Sequence, residues 1–206
     1  MHTRRVAFAL VALTTAAAGL TGCKSSQKAC CASANNKTCC DPSAQTPPAP
    51  ATLTARDAEF FEPLKTLAGD WGMEDENGTT LLTNQFAVSS SNSVIREVMF
   101  PGHPHEMTNL YHMDGPNLVI THYCAAGNQP RMIAREVKYV DGARVYHFKV
   151  DSVSNRREGQ HGVMDEMILT IGVDGSVRQD WYGTDPTTGQ RAGPTVFAPH
   201  RLGSGS

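Results

Sequence analysis

From Gly69 onward, apolar positions recur at every second residue in short runs separated by turn signals. Such alternation sends successive side chains to opposite faces of a strand. The runs cover 69–75, 80–88, 94–100, 105–113, 117–124, 130–139, 143–150, 163–171, 176–182 and 194–201. Asn77-Gly78, Asp114-Gly115, Asp141-Gly142 and Asp174-Gly175 stand between several of them. Tight hairpins favour these pairs because their central residues take positive φ. About ten short strands so joined predict an all-β fold, an antiparallel up-and-down barrel in which closure removes the exposed edges. The period differs just before this region. Phe60, Leu64 and Leu67 fall at helical spacing, as do Phe61, Leu64 and Ala68, behind Thr54-Ala55-Arg56-Asp57. A hydroxyl cap followed by an acid predicts a short N-terminal helix, broken at Pro63 and ending at Gly69.

The N-terminus follows another pattern. Arg4 and Arg5 precede an uncharged apolar stretch from Val6 to Leu20. Fifteen residues or so are too few for a hydrocarbon core of about 30 Å, which takes roughly 20. They suit the core of a secretory signal. Leu20-Thr21-Gly22-Cys23 then resembles the lipobox of bacterial lipoproteins. The resemblance implies cleavage after residue 22 and a lipidated Cys23 as the new N-terminus. Two or three acyl chains anchor a protein stably, whereas one is marginal. Lys24 follows the cysteine and resembles the pattern that sorts lipoproteins to the outer membrane where the host has one. The expected organisation is a signal at 1–22, a tether at 23–53, a barrel at 54–202 and a tail at 203–206.

The tether is rich in Ser, Ala, Asn, Thr and Pro and nearly free of large apolar residues, a composition that does not fold alone. Cys30-Cys31 and Cys39-Cys40 lie within it. They suit disulfides in an extracytoplasmic compartment or a soft metal ion, and four cysteines allow three full pairings. A formal charge of −2 leaves no basic stripe for nucleic acid.

Leu67-Ala68-Gly69-Asp70-Trp71 resembles the G-x-W that opens the first strand of lipocalin-like (calycin) barrels, after a short N-terminal helix. The resemblance implies a tryptophan packed across the closed end of a barrel. The segment from His103 to Met132 also resembles that of bacterial secreted barrels without an assigned activity.

The densest candidate chemistry lies in Gly102-His103-Pro104-His105-Glu106-Met107 and in Thr121-His122-Tyr123-Cys124, continuing to Met132. The turn at Gly115-Pro116 joins residues 105–113 to 117–124. Setting Asp114 opposite Asn117 pairs Tyr111 with Ile120, Asn109 with His122 and Met107 with Cys124. One side then carries His105, Met107, Asn109, Tyr111, Met113, Leu118, Ile120, His122 and Cys124. It is apolar near the turn and polar at the far end, as expected of a barrel with a packed base and a functional mouth. Arg131 and Arg135 are expected on that interior side of the next strand, where a guanidinium requires Glu97, Glu166 or a ligand carboxylate as partner.

Three functional readings follow. In the first, the barrel binds a small, partly polar ligand through His105, Met107, Asn109, Tyr111, His122, Cys124 and Arg131. In the second, His103, His105, His122 and Cys124 hold a transition metal or haem. In the third, Cys124 is a nucleophile activated by His122 or His105. A structural envelope protein with a filled barrel is the bland alternative, since a strand cysteine is commonly a small core hydrophobe. No nucleophile elbow, P-loop, H-E-x-x-H or dinucleotide fingerprint is present, so the ligand-binding reading leads.

Overall fold

The computed structural model describes residue 52 and residues 54–157, 162–185 and 187–203. All lie in the unit Ala49–Ser206. The signal at 1–22, Cys23, the tether cysteines Cys30, Cys31, Cys39 and Cys40, residues 158–161 and the tail at 204–206 lie outside the described residues.

The predicted helix is present as a short two-part element. Asp57–Phe61 forms a π-helical turn, and Glu62–Lys65 continues as helix α1. Pro63 has no N–H to give to the helical ladder, and the Glu62 amide reaches back to the Asp57 carbonyl, one residue further than in an α-helix. Thr54 and Asp57 cap one another. The Asp57 amide donates to Thr54 Oγ1 at 3.1 Å, and the Thr54 amide donates to the Asp57 carboxylate at 2.7 Å. Phe60, Phe61 and Leu64 point from this segment into the core. Full burial of each stabilises by roughly 1.5–3 kcal/mol.

Among the described residues twelve strands follow: β1 (Gly69–Glu74), β2 (Thr80–Ser89), β3 (Val94–Met99), β4 (Met107–Asp114), β5 (Asn117–Tyr123), β6 (Gln129–Ala134), β7 (Val137–Val140), β8 (Ala143–Ser154), β9 (Val163–Ile171), β10 (Val177–Thr184), β11 (Arg191–Phe197) and β12 (His200–Arg201). Two expected strands are each split. The run 130–139 breaks at Arg135-Glu136, so β6 and β7 pair with successive stretches of the long β8. The run 194–201 breaks at Ala198-Pro199, where proline removes a ladder donor.

Every pairing is antiparallel, and the sheet curls into a half-barrel in the order β11-β10-β9-β8-β6-β5-β4-β3-β2-β1-β12. The ends of this path are consecutive in the chain. β11 pairs with β10 (Gln179↔Phe197) and β12 with β1 (Trp71↔Arg201), so one C-terminal segment meets both edges. The β4–β5 hairpin has the expected register, with Asn109 opposite His122 and Tyr111 opposite Ile120.

Trp71 is buried in the core. Its indole N–H donates to the Leu67 carbonyl at 2.8 Å, and the Arg201 guanidinium lies 4.5 Å over the ring. Arg201 also donates to the Ala68 and Thr66 carbonyls at 2.8 and 2.6 Å. Gly69 suits this corner for two reasons: its φ is +127°, and a Cβ there would sit 2.9 Å from Arg201 Nη1.

Candidate functional site

The inward-facing residues of β3 are Ile95, Glu97 and Met99, all buried. The alternation that hides two apolar side chains therefore hides a carboxylate between them. Glu97 pairs with Asn109 on β4, and Asn109 with His122 on β5. One rung thus crosses three adjacent strands with Glu, Asn and His on the same face. Val177, Gln179 and Trp181 of β10 are also buried, and Gln179 meets this rung across the interior.

Four neutral donors converge on Glu97. Asn84 Nδ2 and Gln179 Nε2 donate to Oε1 at 2.6 and 2.8 Å. Asn109 Nδ2 and the Tyr111 hydroxyl donate to Oε2 at 2.8 and 2.6 Å. Salt-bridge geometry pairs no cation with it among the described residues. Burial pushes the Glu97 pKa above the usual carboxylate range, although all four hydrogen bonds pull the other way. Burial, with Glu97 beside it, likewise pushes Tyr111 upward.

The rest of the rung fixes proton positions. Asn109 gives its N–H to Glu97, so its Oδ1 is the atom facing His122 Nδ1 at 2.7 Å. Nδ1 must then carry the proton, and Nε2 is left as a bare lone pair. That nitrogen is buried and has no hydrogen-bond partner among the described residues. Burial lowers the His122 pKa to about 4, so the ring is neutral at pH 7. Asn84 Oδ1 is a second buried acceptor without a donor among the described residues.

Beside this network, a cleft of about 290 Å³ is lined by Cys124, Met164, Trp181 and Gly193, among others. It lies where β10 is irregular. The register with β9 shifts at Tyr182/Gly183 and that with β11 between Trp181 and Gly183. Bulges of this kind re-aim side chains and are common beside binding sites. Two glycines keep the strands close here. A Cβ on Gly183 would stand 2.6 Å from the Val163 carbonyl oxygen, and one on Gly193 (φ +108°) 2.6 Å from that of Trp181. Trp181 forms the wall between cleft and network. It lines the cleft, its ring centroid lies 4.8 Å from that of His122, and its N–H donates to Gln179 Oε1 at 3.2 Å.

No protein-family model and no curated protein matches the chain. The reading of this site therefore rests on its own geometry.

The expected site residues fall into three groups. Asn109, Tyr111 and His122 are together in the buried network. Met107 is half-buried against the core, and Cys124 lies just beyond β5 in the cleft. Among the described residues, His122 Nε2 makes no hydrogen bond, to the Cys124 sulfur or to any other atom. His103 and His105 are exposed in the turn before β4, their rings 5.4 Å apart, with the His105 amide donating to His103 Nδ1. Among the described residues, no three His, Cys, Asp or Glu side chains gather in metal-binding geometry.

Arg131 corrects an expectation. It pairs with Thr121, whose side chain faces outward, and it is held by Asp114 and Asp151 rather than by Glu97, Glu166 or a ligand. The Cys124–Asn128 turn sets the parity of β6, so that Met132 and Ala134 face the core.

Asn84, Glu97 and Gln179 were not expected as a unit. A signal exists in the chain: Ile95-x-Glu97-x-Met99, Val177-x-Gln179-x-Trp181 and Leu82-x-Asn84-x-Phe86 each flank a polar residue with large apolar ones two positions away. It is weakest for Asn84, because β2 shifts register against β1 there and Leu82 is exposed while Phe86 is buried.

Proposed function

We propose that this chain is a lipid-anchored, extracytoplasmic, lipocalin-like protein that holds a small, partly polar molecule at the cleft lined by Cys124, Met164 and Trp181. The observation that carries this reading is a cleft on a strand irregularity, backed through Trp181 by a buried and unpartnered imidazole nitrogen. A volume of about 290 Å³ is near the lower end of the roughly 300–1,000 Å³ of small-molecule sites, so the ligand is compact. Its wall supplies the apolar surface and sulfur contacts that a flat or branched organic body uses. The scattered positions of His103, His105, His122 and Cys124 favour an organic ligand over a metal ion or haem. The missing contact between Cys124 and His122 Nε2 favours binding over thiol catalysis.

Native mass spectrometry of the full chain, purified without added metal, tests the binding reading. A retained organic mass that disappears in Ala126→Trp, which fills the cleft, supports it. Bare protein alone, together with no stabilisation by any small aromatic or aliphatic probe, overturns it. Labelling with radioactive palmitate tests the anchor: incorporation is expected in the native chain and lost in Cys23→Ser.

A further inference from the structure

We infer that the end of the sheet formed by the β7–β8 and β9–β10 turns rests on the surface of an anionic phospholipid bilayer, with Tyr139, Val140 and Val173 at headgroup depth and lipid phosphates against Arg135 and Lys149. Docking of this kind rests on the lipid-anchor reading above, and it adds the face that the anchored domain turns to its membrane.

Apolar side chains are exposed where two neighbouring hairpins turn. Tyr139 is 57% exposed, Val140 54% and Val173 82%. The two turns approach closely: a Cβ on Gly142 would stand 2.9 Å from Val173 Cγ1. β6 pairs with β8 only from Lys149 onward, so the β7–β8 hairpin projects beyond the end of β6. A turn in water is served by polar residues. Apolar residues gathered at an exposed tip mark a contact surface instead.

Charge and chain connectivity identify what the tip meets. On the outer face of the same hairpin lies a cleft of about 350 Å³ lined by Arg135, Glu136, Lys138, His147 and Lys149, among others. Lys138 pairs with Glu136 at 3.1 Å, whereas no carboxylate among the described residues pairs with Arg135 or Lys149. Val140 lies two positions from Lys138 on one face of β7, so the apolar tip and the cationic cleft are continuous. A bilayer surface offers acyl chains and phosphates at adjoining depths, which is the pattern this face complements. Asp141, exposed at the turn itself, limits insertion to the headgroups, the level that tyrosine prefers. The chain also enters the fold here. Arg56, two residues after Thr54, donates from Nη2 to the Arg135 carbonyl at 3.1 Å. The segment leading back to Cys23 therefore joins the domain beside this face. Anchoring makes docking intramolecular, so a small apolar tip suffices. The candidate ligand cleft lies at the other end of the same strands: Val163 and Thr184 line it, whereas Ile171 and Val177 flank the β9–β10 turn. A domain docked this way holds that cleft away from the bilayer, open to the aqueous compartment.

The test uses the lipidated full chain in vesicles whose lipids are brominated near the headgroup end of the acyl chains and so quench tryptophan fluorescence. Trp71 and Trp181 are buried and supply a background measured on the native chain. In mixed phosphatidylethanolamine and phosphatidylglycerol, Tyr139→Trp should add emission that the brominated lipids quench. Asn77→Trp, in the β1–β2 turn at the opposite end, should add emission that they do not quench. Arg135→Ala and Lys149→Ala should each lower the ratio of docked to undocked chain roughly fivefold in those vesicles, as loss of one cation at an anionic surface allows, and leave it unchanged in phosphatidylcholine. Equal quenching at the two positions, or none at Tyr139→Trp, overturns the docking. A dimer in detergent that Val173→Asp dissociates, without quenching at Tyr139→Trp, gives the tip to a second copy and overturns it too. Quenching indifferent to both charge changes overturns the role of the cleft cations. Palmitate labelling separates the two readings: labelled chain without quenching overturns the docking alone, and absence of label overturns the anchor and the docking with it.

Discussion

Glu97 and Glu166 lie on opposite faces of one curled sheet and are held by opposite means. Glu166, on the outer face of β9, meets Arg191 at 2.6 Å and His147 at 2.5 Å. Hydrogen bonding to Arg191 leads the effects that lower its pKa. Glu97, on the inner face of β3, is wholly buried, meets only neutral amides and a phenol, and has its pKa raised by burial. The outer site is a solvent-screened ion pair of the kind that adds little stability. The inner site spends stability on geometry: four donors must be ordered and desolvated to keep one carboxylate in place. A fold that needed only to fill this volume would use leucine. Retaining a carboxylate there makes sense if its consequence, the orientation of Asn109 and His122, is used.

That contrast can be broken by experiment. Glu97→Ala should be the most damaging change, since it strands Asn84, Asn109, Tyr111 and Gln179 together. We expect a loss on the order of 4 kcal/mol in urea unfolding. A loss close to that of an ordinary surface substitution would mean that the four donors find water instead.

Acid should act next, through His122. Its folded pKa of about 4 lies below the ordinary value near 6.5, so folding favours the neutral ring. The stabilisation is complete above about pH 6.5 and is lost as pH falls toward 4, by about 3 kcal/mol in total. Glu97 contributes with the opposite sign, because its pKa is raised: its share is present at low pH and lost as pH rises through the folded value. His122→Phe should therefore flatten the decline between pH 6.5 and 4 in thermal melts at stepped pH. An unchanged slope would assign it to other groups.

Glu166→Gln should have the smallest effect, several-fold below that of Glu97→Ala and erased at high salt. A large, salt-independent loss would show that the outer pair carries more of the structure than its exposure suggests.

Much of this arrangement was legible in the chain because local rules govern it. Asp114-Gly115 fixed the β4–β5 turn, and counting back from it sets Asn109 against His122. The same counting failed for Arg131, because the Cys124–Asn128 connection, unlike a two-residue hairpin, does not announce its parity. Gln179 lies 82 positions from Glu97, and their meeting depends on how far the sheet curls, which no local pattern specifies. Trp71 lay within reach of sequence reasoning through Gly69-Asp70-Trp71. Its partner Arg201 was not, for the same reason of distance.

The meeting of Arg201 with the carbonyl of Ala68 spans 133 positions. Chain entropy makes such a contact expensive until the intervening hairpins have shortened the path between its ends. Each β-hairpin from β2 to β10 can form from neighbours in sequence, but the β1–β12 seam must wait for all of them. The half-barrel thus has a natural order of assembly, with local hairpins first and the Trp71–Arg201 latch last, and it belongs with the slower-folding, high-contact-order topologies.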